Sequence, residues 1–396
     1  MHGPGRDVAE GDRPVKKTKL VYVLPTYDAD SPEHMFHLYG FLEAIAEHLD
    51  VLLIIEHTRG RPGFHNLKVY QRRMQIPLLS TLESVLVILW ARLRGYKRFY
   101  THYSISAGIL SAVVTRTLGG VSYYWNCGHP TDFAPKHVRN LSDLRSKLRN
   151  ETLLRLTLHM VHHLVTGDAT MARYYSESYG LELASIRLMP NWVDLRRFTT
   201  LPDKSTLRRQ LGWPVDKKVV LFLHRLAERK GAHYIVPIAQ EVVTHYPGSA
   251  SELLFVVAGD GPYRANLEKE IQDAGLKAHF QLAGWVPNRE AVQYFAAADV
   301  YMMPSLEEGF PRTLLEAMAA GCSFAATDVG GVRDILTPEQ AEFIVPKRDW
   351  QAMAAALGRL LADSALRDNL ARHGRANVEN YTQDRVVQVF VSLVSD

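Results

Sequence analysis

Cysteine is nearly absent from this 396-residue chain; Cys127 and Cys322 are the only two. Neither belongs to a Cys-x-x-Cys pair, which argues against a disulfide framework or a zinc site and points to a reducing compartment. Long apolar runs are missing too. The most apolar stretch, Ile76 to Trp90, is interrupted by Ser80, Thr81, Glu83 and Ser84, so it falls short of the ~18 uninterrupted apolar residues that a membrane span requires. Residues 1–18 are polar and have no apolar core. They read as a disordered lead-in, not a signal peptide. No short internal repeat is evident, which argues against a solenoid. No charge sign dominates: the formal net charge is +4 and the pI about 8.9. Without a recognition motif, that balance disfavours a nucleic-acid-binding protein.

What is present is a globular composition, with 47% apolar and 22% charged residues. A chain this long exceeds one ordinary core, so two domains are expected. Leu20–Pro25 and Val51–Glu56 read as short buried strands around the helical periodicity of 32–49, a βαβ signal. Similar units continue through Phe99–His102, the helix around 109–118, Ser122–Trp125 and Leu164–Thr166. After Pro190-Asn191-Trp192-Val193-Asp194 and a connecting segment, the pattern restarts. Lys218–Leu223, Leu253–Ala258, His279–Leu282, Val300–Met303 and Ser323–Thr327 are apolar strands alternating with helices. The expected architecture is α/β: two doubly wound, Rossmann-like domains, 19–195 and 196–375, facing a central cleft.

The most informative run is Glu307-Glu308-Gly309-Phe310-Pro311-Arg312-Thr313-Leu314-Leu315-Glu316. Gly309 permits a sharp bend and Pro311 suits a helix start. Glu308 then falls in a loop after a strand, and Glu316 about one turn inside the next helix. Phosphates bind at such a helix start, and a carboxylate there can accept bonds from paired sugar hydroxyls. The chemistry suggested is a sugar diphosphate. Upstream, Arg225 ends one strand and Lys230-Gly231 opens the following helix, which puts a fork and a point charge at a strand edge. Gly259 lies in a glycine turn after the next strand. Trp285 and Val286 follow another, and an aromatic there could hold a base as readily as fill the core.

The series HRLAERKG, VVAGDGP, LAGWVP, EEGFPRTLLEAMAAG and TDVGG resembles the C-terminal domain of family 4 retaining glycosyltransferases, which have the GT-B fold. Asn191–Asp194 with Phe198 is similar to that family's domain-closing segment. The tail, 376–396, resembles its last helix, which packs back on the first domain. The resemblance implies roles. Glu308 would contact donor sugar hydroxyls and Glu316 the nucleotide ribose. Arg225 and Lys230 would stabilise the departing diphosphate. Gly309, Phe310 and Pro311 would line the sugar, Trp285 and Val286 would flank the base, and Gly259 would join the donor side. His129 falls where the family places a His facing the reacting sugar. No metal or other cofactor is expected. Three departures stand out. The loop after the first strand reads Pro25-Thr26-Tyr27-Asp28-Ala29-Asp30 where relatives carry a Gly-Gly pair, and His224 stands where Gly is common. Asp334 replaces a usual Glu and keeps the charge.

The acceptor side is less diagnostic. Between His57 and Arg116 there are ten Lys/Arg and one acid, Glu83, interleaved with leucines. This stretch suits an anionic membrane surface. Its apolar residues, however, run nearly all round, which favours a buried helix. The expectation is a cytoplasmic hexosyltransferase, peripheral at the inner face of a membrane. It would use a UDP- or GDP-sugar and a glycan or lipid-linked acceptor in glycolipid or surface-polysaccharide assembly. The alternatives are a GT-B sugar phosphorylase or synthase acting on small soluble sugars, and a non-catalytic nucleotide-sugar-binding protein.

Overall fold

The structure is a computed structural model that describes residues 17–29, 35–128 and 141–395. Among the described residues, thirteen strands form two sheets, and all their pairings are parallel. The first sheet contains β1 (Lys19–Asp28), β2 (Asp50–Arg59), β3 (Lys68–Gln71), β4 (Arg98–His102), β5 (Val121–Trp125), β6 (His163–Thr166) and β7 (Ile186–Leu188). Its order is β3-β2-β1-β4-β5-β6-β7. The second contains β8 (Lys218–Leu223), β9 (Leu253–Ala258), β10 (Phe280–Gly284), β11 (Val300–Met303), β12 (Ser323–Thr327) and β13 (Ile344–Val345), in the order β10-β9-β8-β11-β12-β13. Strand order reverses between β1 and β4 and again between β8 and β11. At such switch points doubly wound sheets open a crevice at the strands' carboxyl ends.

The strands form because their runs are apolar on both faces. Leu253-Leu254-Phe255-Val256-Val257-Ala258 is buried at every position, the signature of a parallel strand covered by helices on both sides. Odd and even residues feed separate cores. Phe255 and Val257 share a core cluster with Ile235, Ile238 and Val242 of the helix Ile235–His245, whereas Leu254 and Val256 belong to the cluster that holds Phe295, Leu314 and Leu315. The final helix, Gln383–Ser395, crosses to the first domain. Its Val386, Val387, Phe390 and Val394 are buried there. The Phe390 ring lies 4.9 Å from Tyr100 and 5.3 Å from Phe41. The Arg98 guanidinium donates to the Val394 carbonyl at 3.0 Å.

Three expectations change. The segment after Pro25 is not a loop: β1 runs on to Asp28, with Thr26, Tyr27 and Asp28 in register with His57, Thr58 and Arg59. The strands β3, β7 and β13 have four, three and two residues, too short to carry a periodic signal. The apolar helix is Pro77–Leu93, and it is not buried all round. Val87, Ile88 and Ala91 face inward, while Leu78 is 80%, Leu82 54% and Leu86 58% exposed.

Candidate functional site

The carboxyl ends of four neighbouring strands of the second sheet carry the described residues singled out above. Arg225 and Lys230 follow β8, Gly259 follows β9, Trp285 and Val286 follow β10, and Glu308 follows β11. Gly259 N–H donates to the Gly284 carbonyl, tying the β9 and β10 turns together. His129 lies outside the described residues.

Lys230 is held by the chain around it. Gly231 adopts a left-handed φ of 72°, and a Cβ there would lie 1.9 Å from the Pro304 carbonyl. Only glycine allows this β8 loop to press against the end of β11. The Leu306 N–H closes the junction by donating to the Arg229 carbonyl at 2.8 Å. Lys230 Nζ therefore reaches Glu308 Oε1 at 2.7 Å, with both side chains buried. The Ser305 hydroxyl donates to the same oxygen at 2.8 Å. Burial pushes the Glu308 carboxyl up, but Lys230 and these bonds outweigh it and hold the acid below its ordinary range.

His224 belongs to the same cluster. Its Nε2 lies 3.7 Å from Glu308 Oε1, and its Nδ1 accepts the Arg225 N–H at 2.8 Å. Burial first, and Lys230 second, push the imidazole down to about 3, so the ring is neutral at physiological pH. With Nδ1 accepting, Nε2 carries the proton and is a donor aimed at the Glu308 side. Sequence reasoning noted His224 only as a departure from a family pattern. The Arg225 side chain is exposed at the rim.

The helix Arg312–Ala320 begins at Pro311 without any side-chain cap. Glu316 lies one turn inside and is only 4% exposed. Its Oε1 has no hydrogen-bond partner, and the Arg197 guanidinium stands 3.8 Å off. Burial raises the acid; Arg312 and Arg197 oppose the shift without cancelling it. A buried carboxylate oxygen with no hydrogen-bond donor is costly, and the paired hydroxyls of a ribose would satisfy it. Trp285 is 61% exposed, so the core reading of this ring is excluded. Val286 packs partly against the second core.

The loop 307–311 touches the first domain. A Cβ on Gly309 would lie 2.5 Å from the Cys127 carbonyl, so only glycine fits between the two loops. The Phe310 carbonyl accepts from Asn191 Nδ2 at 2.8 Å, and its ring packs 5.7 Å from Tyr381. Phe310 is thus fixed at the domain junction by Asn191 and the last crossover. Asp334 also spans the junction: its carboxylate accepts the Thr170 N–H at 2.8 Å. Among the described residues, no cluster of three or more His, Cys, Asp or Glu could hold a metal ion, and no helix is long and apolar enough to cross a membrane.

Two doubly wound domains closed by a returning C-terminal helix, with the cluster on the second, constitute the GT-B architecture. Residues 203–377 match the model of the glycosyl transferases group 1 family. It is 31% identical over 235 residues to the D-inositol 3-phosphate glycosyltransferase of Corynebacterium urealyticum, covering 58% of this chain and 55% of that protein. Identity is also 31% over 236 residues to the 2-deoxystreptamine N-acetyl-D-glucosaminyltransferase of Streptomyces fradiae, covering 57% and 55%. The chain thus spans about half the length of the curated relatives it matches. Among solved structures, Anabaena HepE in complex with UDP superposes with a TM-score of 0.72 at 18% identity, covering 96% of this chain and all of that one.

Proposed function

We propose that this protein is a metal-independent, retaining glycosyltransferase. It moves a hexose from a UDP- or GDP-sugar to an acceptor in glycolipid or surface-glycan assembly. The observation that carries the reading is the buried Glu316 carboxylate, whose Oε1 has no hydrogen-bond partner, one turn inside a helix start without a side-chain cap and a short chain distance from the Lys230–Glu308 pair. In this reading Glu316 accepts from the ribose hydroxyls. The helix start, Lys230 and Arg225 take the diphosphate, while Glu308 and the His224 Nε2–H address the sugar. Trp285, exposed at the strand edge, offers a face for the base.

The barrier in such a transfer is charge separation towards the departing phosphate. Preorganised cations and helix N–H groups lower it without reorganising. Retention follows if the departing phosphate takes the acceptor proton on the face it leaves.

The membrane part of the reading rests on the Pro77–Leu93 helix. Ile76, Leu78, Leu82, Leu86, Trp90 and Leu93 are exposed, beside exposed Arg73, Arg94 and Lys97. An apolar stripe flanked by cations fits an anionic lipid surface better than water. A second reading, an enzyme acting on small soluble sugars, is favoured by the names of those two relatives, which point to D-inositol 3-phosphate and 2-deoxystreptamine, both small cyclitols.

The test is a thermal-shift and hydrolysis screen against UDP- and GDP-sugars in the presence of a chelator. Binding of one nucleotide series and release of its sugar are expected. If no nucleotide binds, the donor assignment fails; if binding requires added divalent metal, metal independence fails.

A further inference from the structure

Two acids face each other where the domains meet. Asp168 follows β6 in the first domain, and Asp334 lies in the short helix Val332–Ile335 of the second. Asp168 caps the helix Ala169–Tyr179 through Oδ1, which accepts the Met171 N–H at 2.7 Å. Asp334 caps the same helix from the other domain: its Oδ2 accepts the Thr170 N–H at 2.8 Å. One helix start therefore holds a carboxyl group from each domain, where the helix dipole favours negative charge. Asp168 is only 4% exposed, and its Oδ2 is buried with no hydrogen-bond partner.

This seam is tied to the cluster on the second sheet. A Cβ on Gly331 would lie 2.1 Å from Asp168 Oδ2, so the carboxyl rests directly on that glycine. The Gly331 N–H in turn donates to the Gly309 carbonyl at 2.8 Å. Asp168, Gly331, Gly309 and Glu308 thus form a continuous path from the first domain to the Lys230–Glu308 pair. The Tyr381 hydroxyl adds a bond from the last crossover, donating to the Asp334 carbonyl at 3.2 Å.

The neighbouring cations are engaged elsewhere. Arg333 pairs with Asp328 at 2.7 Å, and Arg173 donates to the Thr170 hydroxyl at 3.1 Å. The other titratable groups facing Asp168, Cys127 and Tyr381, are both raised by burial and stay neutral. Two adjoining carboxylates cut off from water resist ionising together. One proton on Asp168 Oδ2 removes the repulsion and supplies a donor to the Asp334 carboxylate. Burial, followed by the Asp334 charge, pushes Asp168 up to about 7, the direction that this geometry requires.

We infer that Asp168 and Asp334 form a proton-operated latch between the two domains: sharing one proton they hold the seam shut, and without it they drive the loop 307–311 away from the first domain. The latch goes beyond the transferase reading, because it does not depend on what the cleft binds. When the seam opens, both acids reach water, and Asp168 returns towards the ordinary carboxylate range near 3.9. Closing therefore takes up one proton. The closed-to-open ratio falls about tenfold for each pH unit between roughly pH 4 and 7 and levels off above that.

The experiment measures the distance between domains in the full chain by double electron–electron resonance, from about pH 5 to pH 8. Spin labels go on Glu182→Cys and Lys347→Cys, exposed positions with one in each domain. The native thiols of Cys127 and Cys322, pushed up to about 12 by burial, stay unlabelled. A short distance should dominate in acid, and a longer one should grow in as pH rises. The ratio of short to long should fall about a hundredfold from pH 5 to pH 7. Asp168→Asn and Asp334→Asn each put an amide where the shared proton lay. The amide donates without titrating, so in either variant the ratio should no longer move with pH. Should one variant fold poorly, the other reads the same bond. A wild-type ratio that does not change with pH overturns the latch. So does a pH response that survives in a folded amide variant, because the proton would then sit elsewhere.

Discussion

Lys230 Nζ and Glu308 Oε1 lie 2.7 Å apart, buried together where the β8 and β11 loops meet. Each neutralises the other without ligand, so each is costly to remove alone. Stripping one partner from a buried pair costs ~3–5 kcal/mol. Lys230→Ala should lower the urea-unfolding free energy by about 3 kcal/mol. The double variant Lys230→Ala/Glu308→Ala should lose clearly less than the sum of the two singles, a coupling of ~1 kcal/mol or more in the cycle. Simple additivity would mean that the pair does not form. In donor turnover, Lys230→Ala should cost about 10²-fold, the usual loss when one preorganised donor to a developing anion is removed.

Glu316 should respond in the opposite sense. Its carboxylate is buried, lacks a hydrogen-bond donor on Oε1 and is raised by that burial. Glu316→Gln removes a buried charge, so the ligand-free protein should melt at the same temperature or higher. The amide loses a charge-assisted acceptor, so nucleotide affinity should fall by ~1.5–3 kcal/mol. Calorimetric titration with the nucleoside diphosphate alongside a thermal melt checks both signs. A destabilised apo protein with unchanged nucleotide affinity would show that Glu316 is a structural acid.

Much of this was legible from residue order. The β8, β9, β11 and β12 strands announce themselves because a strand covered on both faces is a plain apolar run. Ligands of such sheets gather where those runs end, so Arg225, Lys230, Gly259, Trp285 and Glu308 could be placed before any coordinates. What was illegible depends on partners distant in sequence. Periodicity cannot say which apolar side chains find a cover, so the Pro77–Leu93 helix reads as buried although its leucines face outward. Thr170 and Asp334 are 164 positions apart, and nothing local announces that contact. The proton on His224 Nε2 follows from one hydrogen bond to its Nδ1, which no composition reveals.

The exposed face of the Pro77–Leu93 helix predicts a lipid-dependent phenotype. Leu78→Ser/Leu82→Ser/Leu86→Ser replaces side chains that pack on little, so the melting temperature should hold. Sedimentation with anionic vesicles should fall markedly, since each buried methylene lost removes about 0.8 kcal/mol. Binding of the wild type should weaken with added salt, as screening of Arg73, Arg94 and Lys97 requires. Wild-type protein that stays in the supernatant at low salt, with vesicles rich in anionic lipid, would refute the docking face.

Asp168 makes the domain junction sensitive to pH. It caps the helix Ala169–Tyr179 by accepting the Met171 N–H at 2.7 Å, and its other oxygen is buried without a partner. Asp334 faces it across the junction, with Cys127 and Tyr381 the other titratable neighbours. Burial, followed by the Asp334 charge, pushes Asp168 up to about 7. The folded protein therefore binds a proton here that the unfolded chain releases near pH 3.9. Stability from this group is full below about pH 4 and is lost as pH rises towards 7, on the order of 4 kcal/mol in total. Asparagine keeps the cap and removes the titration. Urea midpoints of wild type and Asp168→Asn should coincide most closely in mild acid. They should then diverge as pH climbs, the variant becoming the more stable protein by pH 8. A difference that stays flat from pH 5 to pH 8 would mean that Asp168 is already ionised throughout, relieved by water or by an open junction.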